Sequence, residues 1–590
     1  MNELVHAAMN RIPADTWIAN VRLANVITGE IYPADIIVHA GKVVAVEPPG
    51  TQPRRQARQR IDGQGRLAVP GLVDAHLHIE SSLVTPAHFA AAVLPRGVTT
   101  VAEDPHEIAN VLGPTGIRAM IEASADIPLK VLFLVSSSVP SAAGLETAGG
   151  AITPQDVREL LALPQVIGLA EVMDGAALLA DDPNVLGVLE AAGGLHGYRV
   201  DSAGVIEGHN PMLRGRALSA FVAAGVDSDH TQATPPELVE KARLGVTLQL
   251  QERYLTRALI QAVMDIPFDT GVCLVTDDVA PDYLLEVGHL DQVLRRAIAL
   301  GMDPLYALRA ATWNPARRLR LWDRGAIAPG RAADIVLVES LEEFQAQLVL
   351  VDGQVVAQEG RCLWQPPAQD PLEGWKETVH LPPQRPQDFR LAAPVQEGQV
   401  RVRTIDCVPG QTRVIAGEAT VPVRGGWVQL PPDEDLVFIA VVERHGKRLE
   451  GPGSRSFGLV RGLGLERGAL ATTYAHDSHN LAVLGCTPEE MARAANAVIQ
   501  MQGGIAVVDG ERVVARIPLP IAGILSDRPV AETAQALRQV GQALQELGLE
   551  HPHWLMRIST FTLPVSSGLR ITDRGLVDAQ ARRLVDLFVA

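Results

Sequence analysis

The stretch "GLVDAHLHIESS", which begins at Gly71, sets His76 and His78 one residue apart immediately after an apolar run. In an extended strand residues i and i+2 face the same side, so the two imidazoles aim at one point. Further along, Glu171 of "GLAEVMD", His209 of "IEGHN", His230 of "SDHT" and Asp277 of "VTDD" each stand at the end of an apolar run. Neutral imidazole and carboxylate are ligands for borderline divalent metals such as Zn, Fe and Mn, and the absence of thiolates argues against a closed structural zinc site. A lone HxH is a weak signal, and each of the other residues alone reads as a hydrogen-bonded loop histidine or a solvated carboxylate. The ordered set is much harder to reach by accident. A carboxylate such as Glu171 can bridge two ions roughly 3.5 to 4 Å apart that polarise one shared hydroxide.

Those residues need a frame that brings six distant segments to one place. From about Val69 to Arg320 apolar runs alternate with helical periods, the pattern of repeated βα units around a parallel sheet. Eight candidate strands follow in order: "RLAVPGLVDAHLH", "GVTTVAEDPHE", "KVLFLVSSS", "VIGLAEVMD", "GVIEGHN", "AGVDSDHT", "GVTLQLQER" and "GVCLVTDDVAP". Several start apolar and finish in His, Asp or Glu, as in a (β/α)8 barrel, whose chemistry gathers at the C-terminal ends of its strands. The fold class expected is therefore α/β. A barrel over 69–325 is inserted in a small β-sandwich composed of 1–68 and 326–365, both rich in short β-like runs. A Pro-rich linker or wrap-around segment follows at 366–385, and 386–590 alternates strands with helices as a separate C-terminal α/β domain.

Bulk properties narrow the function classes. The 590 residues suit several domains at about 150 residues each. A net charge of −17 repels phosphate backbones and anionic membranes, so neither nucleic acid nor a membrane is an expected partner. The N-terminal "MNELVHAAMNRIPADTW" lacks the basic start and apolar core of a secretion signal, and the chain is read as cytoplasmic. The four cysteines (Cys273, Cys362, Cys407, Cys486) are far apart without CxxC and suit a reducing compartment. A homo-oligomer is expected.

The order HxH, Glu, His, His, Asp on a barrel inside a split sandwich resembles the amidohydrolase superfamily. The longer motifs "PGLVDAHLHIESSLVTP", "GVTTVAEDPHEIANVLG", "TDDVAPDYLLEVGHLD", "ATWNPA", "RGALATTYAHDSHNLAVLG" and "RIPLPIAGILSD" are similar to the bacterial adenine deaminase family, over nearly the whole chain. The resemblance implies that His76, His78, Glu171, His209, His230 and Asp277 bind two divalent ions, Mn or Fe first and Zn also acceptable. Glu171 would bridge them in place of the carboxylated lysine of other branches. It further implies deamination of adenine, a small-molecule purine, to hypoxanthine and ammonia in purine salvage. A bridging hydroxide would attack C6, with Asp277 as the base that passes a proton to the departing ammonia.

A protonated acid near N1 would assist, and Glu80, Glu103 and Glu107 are candidates among which the sequence does not choose. Glu107 is expected to be the catalytic one, and Glu80, Glu103, Asp104 and His106 to bind substrate. In "EDPHE", a turn fixed by Pro105 with supporting polar groups is an equal reading for Asp104 and His106. The segment "AHDSHN", with His476, Asp477 and His479, invites a second metal-site reading, but a structural turn is preferred, and the resemblance implies a loop that closes over the active site. Departures from the family pattern at "SDHTQ", "QERY" and "TDDVAPDY" spare the metal ligands and predict slower or less selective turnover of adenine. The alternatives are a deaminase of another 6-aminopurine, a cyclic amidohydrolase, against which Glu171 speaks, and a non-catalytic metal- or purine-binding paralogue.

Overall fold

The computed structural model describes residues 2–51, 55–195, 204–211, 213–268, 271–447 and 455–589. At its centre eight parallel strands pair in sequence order: Leu72–Leu77, Val98–Glu103, Lys130–Ser136, Val166–Val172, Val205–Gly208, Ser228–Asp229, Thr247–Gln251 and Cys273–Val275. A parallel bridge between Leu77 and Asp277 joins the last strand's end to the first, through Asp277 N–H to the His76 carbonyl at 3.2 Å, and closes the barrel. All eight strands stand where the apolar runs place them. Small and branched side chains (Val73, Ala75, Ala102, Leu134, Ala170, Val205, Cys273, Val275), with Leu319, form one apolar layer shared by six of the strands, the filling a barrel interior requires.

The run "RLAVPGLVDAHLH" is two strands rather than one. Leu67–Pro70 pairs antiparallel with Ile335–Val338 in a nine-stranded sheet, whereas Leu72–Leu77 enters the barrel. Gly71 sits at the corner, where an added Cβ would lie 2.2 Å from the Thr99 hydroxyl oxygen, so the close approach of the first two barrel strands requires glycine here. The nine-stranded sheet draws its members from Ala14–Pro70 and from Ile335–Cys362, with Ile18, Leu23, Ile36, Ile335 and Leu350 in one shared core.

In the C-terminal part ten strands between Gly398 and Val589 form one sheet, with the helices Pro488–Gln500 and Val530–Glu546 alongside. Among the described residues seven strands in succession, from Gly398 to Gly485, precede the first α-helix of this part, so the regular alternation of strands and helices expected from the sequence is not what forms; the pairing is antiparallel except where Gly398–Cys407 meets Arg455–Arg461, because hairpins rather than helical crossovers join most neighbours. The Pro-rich segment is tied to this sheet: His380 N–H donates to the Arg444 carbonyl at 2.8 Å, and Gln384 N–H to Asn496 Oδ1 at 2.7 Å. No helix among the described residues is long and apolar enough to cross a membrane.

The C-terminal part lies against the mouth of the barrel. Ser526 N–H donates to the Leu83 carbonyl at 2.7 Å, Asn480 Nδ2 to the Thr147 carbonyl at 2.8 Å, and Tyr474 OH to Ser81 Oγ at 3.3 Å. All four cysteines are free.

Candidate active site

His76 and His78 leave the first barrel strand with ring tautomers set by their neighbours. The Nδ1 of His78 lies 2.8 Å from the Asp104 carbonyl, which can only accept, so that nitrogen carries the proton and Nε2 offers a lone pair. His76 Nδ1 donates to Glu207 Oε2 at 2.7 Å, and its Nε2 is buried without a hydrogen-bond partner. Glu207 is held in turn by Arg318 Nη1 at 2.7 Å and Gln249 Nε2 at 3.0 Å. This is the carboxylate–histidine pairing that orients metal-binding imidazoles.

The remaining expected ligands converge on the same point. Glu171, from the fourth strand, turns Oε1 toward His78 Nε2 at 3.5 Å and Oε2 toward His209 Nδ1 at 2.7 Å and His230 Nε2 at 3.1 Å. The ring nitrogens of His209 and His230 are 3.0 Å apart. Asp277, from the end of the eighth strand, places Oδ1 3.3 Å from His78 Nε2 and 3.7 Å from His76 Nε2. Its backbone is left-handed at φ 62°, a strained conformation for a non-glycine residue. Five of the six side chains are buried, and His209, 32% exposed, is the open edge of the site.

The electrostatics ask for a cation. Burial works against charge on His76, but Glu207 and Asp277 outweigh it and hold the imidazole up to about 10. Burial would raise Asp277, yet the Arg253 guanidinium and His76 and His78 hold it well below the usual carboxylate range. Glu171 is likewise held low against burial, by His209 and His230. Inward-facing lone pairs, an unpartnered His76 Nε2 and anionic carboxylates among them fit a divalent ion better than they fit one another.

The three candidate acids differ. Glu80 and Glu103 are fully buried and adjacent; burial and the charge of Glu107 raise Glu80, while burial and the charge of Glu80 push Glu103 well above the usual range. Backbone N–H groups cap one oxygen of each, Ile108 on Glu80 Oε1 at 3.2 Å and Ile79 on Glu103 Oε2 at 2.8 Å, and the other oxygens have no such partner. Glu107 is the opposite case: burial is offset by His476, His479 and His106, which hold it well below the usual range. The imidazoles of His106, His476 and His479 face its two oxygens.

Asp104 Oδ1 accepts from Ser136 Oγ at 2.6 Å, and its Oδ2 lies 3.4 Å from His106 Nδ1. The segment around His476 is a turn, as expected, but its side chains are buried against Glu107, with His479 Nε2 donating directly to Glu107 Oε2.

Two residues escaped the sequence reading. Glu207 stands two positions before His209 in the quoted strand "GVIEGHN", where strand alternation could have found it. Arg253, inside "QERY", reaches Asp277 Oδ2 with its guanidinium at 2.7 Å; only the closed barrel shows that the seventh and eighth strand ends meet.

A hydrolase barrel with imidazoles and carboxylates at its strand ends is the hallmark of one class, and residues 67–356 match the model of the amidohydrolase family. Residues 413–583 match the adenine deaminase C-terminal domain. The chain is 40% identical to an adenine deaminase of Moorella thermoacetica, covering 99% of this chain and 97% of that one. It is also 40% identical to "adenine deaminase 2" of Shouchella clausii (98% and 99% covered) and of Rhizobium meliloti (99% and 96% covered). The chain belongs to the adenine deaminase family.

Proposed function

We propose that this chain hydrolyses adenine to hypoxanthine and ammonia, with purine salvage as its setting. The observation that carries the reading is the six-residue set His76, His78, Glu171, His209, His230 and Asp277 at one end of the barrel, in a chain that matches adenine deaminases along its full length. These residues would hold two divalent ions, Mn or Fe in first place and Zn as a third choice. Bound there, such ions supply Lewis-acid activation of water for attack on an electron-poor ring carbon.

The protein's own groups manage the protons. Asp277, ionised and held by Arg253, takes one proton from the attacking water and hands it to the 6-amino group, so that the C6–N bond breaks with neutral ammonia leaving. The Glu80–Glu103 pair, in which the two carboxyls cannot both ionise cheaply, delivers a proton to N1 as the ring loses aromaticity. That proton stays in hypoxanthine as N1–H, and the second proton of water restores the pair. His209 marks the side from which the purine enters.

The test is ammonia release from adenine, other 6-substituted purines and cyclic amides by Mn-loaded protein. Adenine is expected to react and cyclic amides to remain intact. Opening of a cyclic amide with adenine untouched would overturn the reading.

A further inference from the structure

Beside the six-residue set, and sharing no ligand with it, four more side chains converge where the barrel meets the C-terminal part. His106 and Glu107 open the short helix His106–Leu112 that follows the second barrel strand. His476 and Asp477 come from the turn between the strands Ala469–Thr472 and Leu481–Gly485. Their facing atoms lie 2.9 Å (His476 Nδ1 to Glu107 Oε1), 3.4 Å (His106 Nε2 to Glu107 Oε1), 3.6 Å (His476 Nδ1 to Asp477 Oδ1) and 4.0 Å (His106 Nε2 to Asp477 Oδ1) apart. Four ligands at about 2.1 Å from a tetrahedral ion are separated by about 3.4 Å.

A second observation is independent of those distances. Glu107 is fully buried, and its Oε1, the atom closest to both imidazoles, has no hydrogen-bond partner; the Oδ2 of Asp477 also lacks one. Glu107 Oε1 thus faces two ring nitrogens without a hydrogen bond to either, and a buried carboxylate oxygen so placed calls for a cation among those nitrogens. The surroundings prepare His106 and Glu107 as a metal site requires. Asp104 Oδ2 faces His106 Nδ1 and fixes the proton there, leaving the Nε2 lone pair pointing at Glu107. Ala475 N–H donates to His479 Nδ1 at 3.3 Å, so His479 Nε2 carries the proton that it gives to Glu107 Oε2, which keeps the carboxylate ionised and its other oxygen turned inward.

We infer that His106, Glu107, His476 and Asp477 bind a further divalent cation of the zinc type, which ties the C-terminal domain to the barrel. The ligand set is two imidazoles and two carboxylates, without thiolate, which suits zinc, cobalt, iron or manganese. All four residues are buried and each half of the site belongs to a different part of the chain, so the ion serves as a clasp. The inference stands apart from the identity of the substrate.

Metal analysis of the full chain, stripped with chelator and reloaded with cobalt, tests it. The parent protein should hold one equivalent more than the His476→Ala/Asp477→Ala variant. The His76→Ala/His78→Ala variant should still hold one tightly bound cobalt with the visible absorption of a four-coordinate ion. Asp477→Asn, which keeps shape and removes charge, serves if the double variant fails to fold, and should lose the same equivalent. Equal metal content in the parent and the folded C-terminal variant, or no cobalt in the His76→Ala/His78→Ala protein, would overturn the inference.

Discussion

The role of Asp277 rests on its place among His76, His78 and Arg253 rather than on its identity alone. Asp277→Asn keeps size and one oxygen but cannot take a proton, so kcat should fall by roughly 10²-fold or more while most of the metal is retained. Near-normal turnover would move the base elsewhere. Arg253 makes a second prediction. Because its positive charge helps to depress Asp277, removing it in Arg253→Met raises the carboxyl, so more of the enzyme is protonated and idle at low pH. The acid limb of the pH–rate profile should move up by about one unit or more, and an unmoved limb would deny the pairing a catalytic role. At this scale the six residues that converge at the end of the barrel are legible because each closes an apolar run. Arg253 was not, since nothing in "QERY" says that its neighbour is the end of the next strand.

Among elements, the eight strands were readable from periodicity, and so was the polarity that puts His, Glu and Asp at their ends. The split of "RLAVPGLVDAHLH" at Gly71 was not, because an apolar run carries no mark of which sheet it will join. The connection after the third strand is another case. Its Glu146 accepts from Ser141 Oγ and from Ala142 N–H, each at 2.8 Å, within a segment whose Thr147 N–H is held by Asp573. Burial, with the charge of Asp477 adding to it, raises the Glu146 carboxyl to about 8. An unfolded chain releases that proton near pH 4.3 or so. The folded protein therefore binds a proton that the unfolded chain has lost, and stability present at low pH declines as pH rises through about 8. Glu146→Gln keeps the acceptor and cannot ionise, so its stability relative to the parent should improve between pH 5 and pH 8, on the order of a few kcal/mol. Denaturant midpoints of both proteins at the two pH values check this, and an unchanged difference would contradict it.

For the whole molecule, the C-terminal domain is part of the site's surroundings rather than an appendage. One apolar cluster runs from Leu83, Phe89 and Val93 beside the barrel to Ile521, Leu525 and Phe561, and Glu107 is enclosed by histidines from both sides of the junction. Barrel and C-terminal domain should therefore unfold in a single calorimetric transition, and two well-separated transitions would contradict that coupling. The sequence allowed a loop closing over the site but read "AHDSHN" as a turn, because a contact across 372 positions, from Glu107 to His479, leaves no local pattern. Metal-loaded full-length protein incubated with adenine, with ultraviolet absorbance and ammonia followed together, should give hypoxanthine and ammonia in equal amounts, and the Asp277→Asn protein should be slower by roughly 10²-fold or more; adenine left intact by the metal-replete parent protein would contradict the account.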